Sequence, residues 1–193
     1  RALVATLSDL TGLPAFAVSY RLGPENHCPA AGDDAIAGFR WLLETGFAPG
    51  SIVVGGDSAG GHLGLDLLRC NHIDSIAPPA ALVFFSPLLD PSFALSAEQE
   101  KVRRDPLFTA AAARRIVGWY VGDASYGDPR VTIPITPDLP IPPTLIHAGE
   151  LEMMSADALE MARQMTAAGG PVTLRIWPGQ GHVFQLMSAR STA

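Results

Sequence analysis

Short apolar runs alternate along the chain with longer stretches of helical period. Residues 14–19 (PAFAVS), 51–54 (SIVV), 80–85 (AALVFF), 143–147 (PTLIH) and 172–177 (VTLRIW) are brief and apolar, with Gly, Pro, Ser or Asn close by, which predicts strands. Helical patterns occupy 2–10, 30–45, 59–71 and 155–168. In 30–45, Ile36, Phe39, Trp41, Leu42 and Leu43 form an apolar side and Gly46 is a stop; 155–168 ends at Gly169-Gly170. Strands alternating with helices predict an α/β class, a mostly parallel sheet flanked by helices. Residues 87–142 break the rhythm. They are rich in Pro and Asp and hold one clear helix, around 109–120, so they predict a lid or binding segment inserted into the domain.

Composition narrows the function classes. The 193 residues are one domain's worth, and 48% hydrophobic content excludes a disordered tail. No apolar run reaches the ~18 to 20 residues of a membrane span. Thirteen basic and nineteen acidic residues give a net charge of −6 with no basic block, which argues against a nucleic-acid partner. Cys28 and Cys70 make neither a disulfide scaffold nor a zinc spacing. Lys101 is the sole lysine, and with the abundant Ala, Gly and Pro this suggests a GC-rich bacterial source. A bacterial cytoplasmic location is expected, and a homodimer is left open. Residue 1 is Arg, and 2–10 already reads as mid-helix without a signal-peptide pattern, so the start of the domain is expected to lie outside this chain.

The strongest chemical signal is Gly56-Asp57-Ser58-Ala59-Gly60, a G-x-S-x-G pentapeptide followed by Gly61. An apolar strand precedes it and a helical pattern follows, the setting of a nucleophile elbow. Glycines at 56 and 60 are expected to spare the tight turn a Cβ clash. Ser58 Oγ would then stand above the sheet at a helix N-terminus, with the Ala59 N–H aimed at a developing oxyanion. A phosphate loop is the competing reading, but there is no G-x-x-x-x-G-K-[ST] and no lysine nearby. Asp57 reads as a brace for the elbow.

A serine hydroxyl needs a base. His182, in the loop after the last strand, is the best placed of five histidines. His62 lies on the helix after the elbow, His27 and His72 read as surface positions, and His147 as a packed strand end. The acid that orients the base should follow the strand at 143–147. Glu150, Glu152 and Asp157 compete there. Glu150 is almost still in the strand, and Asp157 suits a helix N-terminus. Glu152 sits mid-loop, able to turn back over the sheet, and leads with Asp157 next.

Several segments together resemble the hormone-sensitive lipase-like esterases, the bacterial family IV carboxylesterases. The GDSAGG form at Gly56 to Gly61 is theirs. Tyr20-Arg21-Leu22-Gly23-Pro24-Glu25 is similar to the family's YRLAPE, with Gly23 for Ala. Pro29-Ala30-Ala31, Asp33-Asp34-Ala35, Phe39-Arg40-Trp41-Leu42, Asp105-Pro106-Leu107, Pro142-Pro143-Thr144-Leu145-Ile146 and His182-Val183-Phe184-Gln185 follow in family order. The resemblance implies an α/β-hydrolase fold and a serine carboxylesterase for short- to medium-chain acyl esters. It implies Ser58 as nucleophile, His182 as base and, by position in Ala148-Gly149-Glu150-Leu151-Glu152, Glu152 as acid in place of the usual Asp. Met153-Met154 stand where Pro-Leu is usual.

No metal or organic cofactor is implied, and the partner is a small-molecule ester. The family's upstream H-G-G-G oxyanion loop has no counterpart here. The N-terminal strands, that loop and part of the lid are therefore expected to be missing, and the domain to be incomplete at both ends, stopping early in a closing helix. Tyr20, Arg21 and Glu25 read as a structural loop under the site. Phe85 and Phe184 are candidates for the acyl pocket or the core. Two other functions use the same fold: a non-catalytic small-molecule receptor, against which Ser58 and His182 speak, and an acyltransferase or amidase with the same triad.

Overall fold

The computed structural model describes residues 2–188. Four strands, β1 (Val53–Asp57), β2 (Ala81–Phe85), β3 (Thr144–Gly149) and β4 (Val172–Trp177), form one sheet in that order, each neighbouring pair parallel. The helices are α1 (Ala2–Thr11), α2 (Ala30–Glu44), α3 (Ala59–Ile73), α4 (Ala94–Val102), α5 (Ala110–Val121), α6 (Ser155–Ala167) and the short α7 (Gln185–Ser188). Alternate residues of the central strands face one core. Leu82, Phe84, Ile146 and Ala148 are fully buried against Leu65 and Leu68 of α3 and Met161 and Met165 of α6. Each of the larger side chains contributes roughly 1.5–3 kcal/mol of burial, so this face fixes where both helices lie. On its other side α3 carries α2 through Ile36, Phe39 and Leu67.

The long segment between β2 and β3 is fastened back onto these helices. Arg130 pairs with Asp66 of α3 at 2.8 Å and with Asp33 of α2 at 2.9 Å. The ring of buried His62 lies beside the Arg130 backbone.

Three expectations need correction. Residues 14–19 form no strand. Phe16 stacks on Trp41 of α2, with ring centres 5.1 Å apart. A cleft of about 280 Å³ separates this stretch from β1, and a strand exists only where its backbone has a partner to pair with. The strand expected at 51–54 begins at Val53 and continues through Gly55, Gly56 and Asp57, because pairing with β2 runs on to Phe85. The insert contains a second helix, α4, that its sequence does not announce. Asp90, four residues upstream, accepts the Ala94 N–H at 2.8 Å and so caps it from outside the usual position. The short α7 lies in the stretch where a closing helix was expected; residues 189–193 lie outside the described residues.

Candidate active site

β1 runs directly into the G-x-S-x-G turn and α3 directly out of it. Ser58 sits at φ +53°, ψ −118°, a left-handed backbone uncommon for a residue with a Cβ. The turn is closed at Gly56, where a Cβ would stand 2.2 Å from the Gly60 carbonyl oxygen. The matching expectation for Gly60 fails, since a Cβ there would meet open space. Ser58 donates its N–H to Phe85 at 2.9 Å and accepts the Leu88 N–H at 3.0 Å, which holds the elbow against the end of β2. Ala59 opens α3, so its N–H has no partner within the helix.

The three carboxylates after β3 go to three different places. Glu152 is 1% exposed, with Oε2 2.6 Å from His182 Nδ1. Its Oε1 accepts the Gly149 N–H at 2.6 Å and the Ser86 hydroxyl at 2.8 Å. Asp157 is buried elsewhere, accepting the Leu89 and Asp90 N–H groups and the Ser96 hydroxyl. Burial pushes its carboxyl up to about 6. Glu150 pairs with Arg103 at 2.7 Å, which holds it below the usual carboxylate range, and accepts the Gly179 N–H. A Cβ at Gly149 would lie 2.3 Å from the Gln180 carbonyl, so only glycine lets the acid loop and the histidine loop approach this closely.

Ser58 follows β1 and His182 follows β4, both beyond the C-terminal ends of the parallel strands, but no hydrogen bond joins Ser58 Oγ to the imidazole. Catalytic hydrogen bonds of this kind commonly tighten only with substrate bound. His62 points away toward Arg130, and its burial pulls its imidazole down to about 4. His72 pairs with Asp138 at 3.2 Å. His27 packs where a Cβ at Gly122 would intrude. His147 lies between Phe85 and Trp177, and burial lowers its pKa. Phe184 meets Trp177 as well, so Phe85 and Phe184 belong to an aromatic row beside the site. Arg21 is engaged by Asp34, as a structural loop requires. Burial, then the charge of Asp57, raises the Tyr20 phenol.

Phe108 and Ser86 escaped the sequence reading, and Asp105 entered it only as part of the Asp105-Pro106-Leu107 segment, without a role. Phe108 meets His182 edge-on with ring centres 5.2 Å apart. Asp105 is buried and accepts the N–H of Leu107 at 2.7 Å and of Met153 at 2.9 Å, joining the insert to the acid loop. Ser86 touches both Glu152 and the Val183 N–H. The one available signal was position: Ser86 follows a strand end in a parallel sheet, where such sites gather. Among the described residues no group of three or more His, Cys, Asp or Glu is placed to hold a metal ion.

Comparison with known proteins decides the family. The family described as alpha/beta hydrolase fold matches residues 1–186. The chain belongs to this family. Among solved members, this α/β hydrolase superposes on a hormone-sensitive lipase from a metagenome library with a TM-score of 0.87, at 31% identity over 99% of this chain and 69% of that one. Among curated relatives, the α/β hydrolase is 35% identical over 190 residues to carboxylesterase/phospholipase LipF of Mycobacterium tuberculosis (strain ATCC 25618 / H37Rv), covering 95% of this chain and 51% of that protein. It is 35% identical over 187 residues to an acetyl-hydrolase of Streptomyces hygroscopicus, covering 95% and 62%. The chain thus spans about half to two thirds of the length of these two curated relatives. Among the described residues no helix is long and apolar enough to cross a membrane.

Proposed function

We propose that the protein hydrolyses carboxylic esters of short- to medium-chain acids through Ser58, His182 and Glu152. The observation that carries this reading is the 2.6 Å contact between Glu152 Oε2 and His182 Nδ1, beyond the same C-terminal ends of the parallel strands as a serine on a left-handed elbow. The names of the relatives, carboxylesterase and acetyl-hydrolase, support it.

Glu152 holds the proton of His182 on Nδ1, which leaves Nε2 free as acceptor. Ser58 Oγ attacks the acyl carbon while Nε2 takes its proton, and the carbonyl oxygen becomes an oxyanion. The Ala59 N–H donates to that oxygen, and a second donor must converge on it. Collapse breaks the ester C–O bond, and His182 returns the proton to the leaving alcohol. Water, deprotonated by the same Nε2, then releases the acid and restores Ser58. Phe108 and the insert that carries it would shield the histidine from solvent, acting as a lid.

Ser58→Ala is expected to lower p-nitrophenyl ester turnover by a factor on the order of 10⁴ to 10⁶ with the fold unchanged. A variant that keeps more than about a tenth of the rate would overturn the assignment. Covalent labelling of Ser58 by a fluorophosphonate separates a hydrolase from a non-catalytic receptor.

A further inference from the structure

Ser86 follows β2 at φ +49°, a conformation a glycine would take without strain and a serine adopts reluctantly. It is fully buried, and all three of its hydrogen bonds run to segments of the site. Its N–H donates to the His147 carbonyl at 2.7 Å. Its hydroxyl donates to Glu152 Oε1 at 2.8 Å and accepts the N–H of Val183, the residue after His182, at 3.0 Å. Its chain neighbour Phe85 accepts the Ser58 N–H.

We propose that Ser86 is a positioning residue that sets the orientation of His182, acting through Glu152 on one side and the Val183 backbone on the other. This rests on the reading of Ser58, His182 and Glu152 as a triad. A glutamate carboxylate turns about a soft terminal torsion, so its plane is not fixed by its own side chain. Two donors on Oε1, the Gly149 N–H and the Ser86 hydroxyl, fix that plane and leave Oε2 facing Nδ1. The same hydroxyl oxygen anchors the backbone that carries the imidazole. A hydroxyl serving both partners explains why a side chain occupies a position where the backbone favours glycine.

Ser86→Gly removes the hydroxyl and keeps the backbone geometry. In the folded variant kcat on p-nitrophenyl acetate is expected to fall by about 10- to 100-fold with KM changed less than about twofold, since a positioning defect acts on the transition state. Long-range ¹H–¹⁵N spectra at alkaline pH report the tautomer of His182, and the variant is expected to lose part of the wild-type preference for the Nδ1–H form. Ser86→Cys, which retains a weak donor, is expected to lie between the two in both readouts. A folded Ser86→Gly with wild-type kcat and wild-type His182 tautomer overturns the proposal. So does unfolding of both variants, which would make Ser86 a purely structural residue. If the wild type proves inactive on esters, the functional reading fails. The tautomer shift alone then decides the role of Ser86, its presence supporting the role and its absence overturning it.

Discussion

At the scale of single residues, two of the buried carboxylates, Glu152 and Asp157, lie five positions apart and have different partners. Glu152 faces the histidine; Asp157 faces two backbone N–H groups and a hydroxyl. Glu152→Gln is therefore expected to lower kcat by roughly 10⁴, the size of effect seen when a triad acid becomes an amide. In Asp157→Asn the remaining oxygen still accepts both N–H groups and the new amide can donate to Ser96, so kcat should stay within about threefold of wild type. Steady-state kinetics on one p-nitrophenyl ester distinguish the two. A larger loss in Asp157→Asn would reverse the assignment. The elbow at Ser58 was legible in the chain, because such a turn needs a strand before it and a glycine at 56. Ser86 and Phe108 stayed hidden, because nothing in a serine after a strand or a phenylalanine in an insert encodes what lies opposite in space.

At the scale of elements, legibility followed packing. β4 was readable at its observed bounds, since its residues alternate and its edges are marked by Gly-Gly-Pro and Pro-Gly. The C-terminal half of β1 was obscured by Gly55 and Gly56, whose strand geometry comes from pairing with β2 rather than from their own preference. Residues 14–19 failed for the opposite reason, an adequate pattern without a partner. The insert was legible as an insert but not as a structure, because its order depends on carboxylate contacts between segments far apart in sequence. Asp105 is the clearest of these. Asp105→Ala would leave the Leu107 N–H and the buried Met153 N–H without their acceptor, a cost of about 1–3 kcal/mol for an unsatisfied buried group. Urea unfolding is the check, and a change below about 0.5 kcal/mol would show that the acid loop holds its place without the insert.

At the scale of the whole molecule, two buried ionisable groups give the stability a pH dependence with opposing parts. His62 titrates near 4 in the folded chain because burial disfavours its charge, against an ordinary value of 6.5. Between those values the unfolded chain holds a proton that the folded chain refuses, so stability falls as pH drops from about 6.5 toward 4. The full difference is on the order of 3 kcal/mol. Asp157, raised to about 6 by burial, works the other way, its contribution diminishing as pH rises through that value from 3.8. The wild-type profile is thus flatter than either group alone would make it. His62→Leu removes one arm, and its urea midpoint should fall less between pH 6.5 and 4.5 than that of the wild type. Parallel slopes for the two proteins would refute this account of His62.

The four parallel strands also set a schedule. Ser58, Ser86, Glu152 and His182 each follow a different strand, in chain order, and the bond from Ser86 to Val183 spans 97 positions. On a ribosome the serine emerges first and the histidine last, separated by roughly 6 to 25 s at ~5–20 residues per second. Throughout that interval the serine hydroxyl has no base, and with the roles proposed above it is chemically inert. On those proposed roles, the centre would be completed only when the last strand and the loop beyond it close the sheet, so an unfinished chain would be unable to act on esters it meets during synthesis.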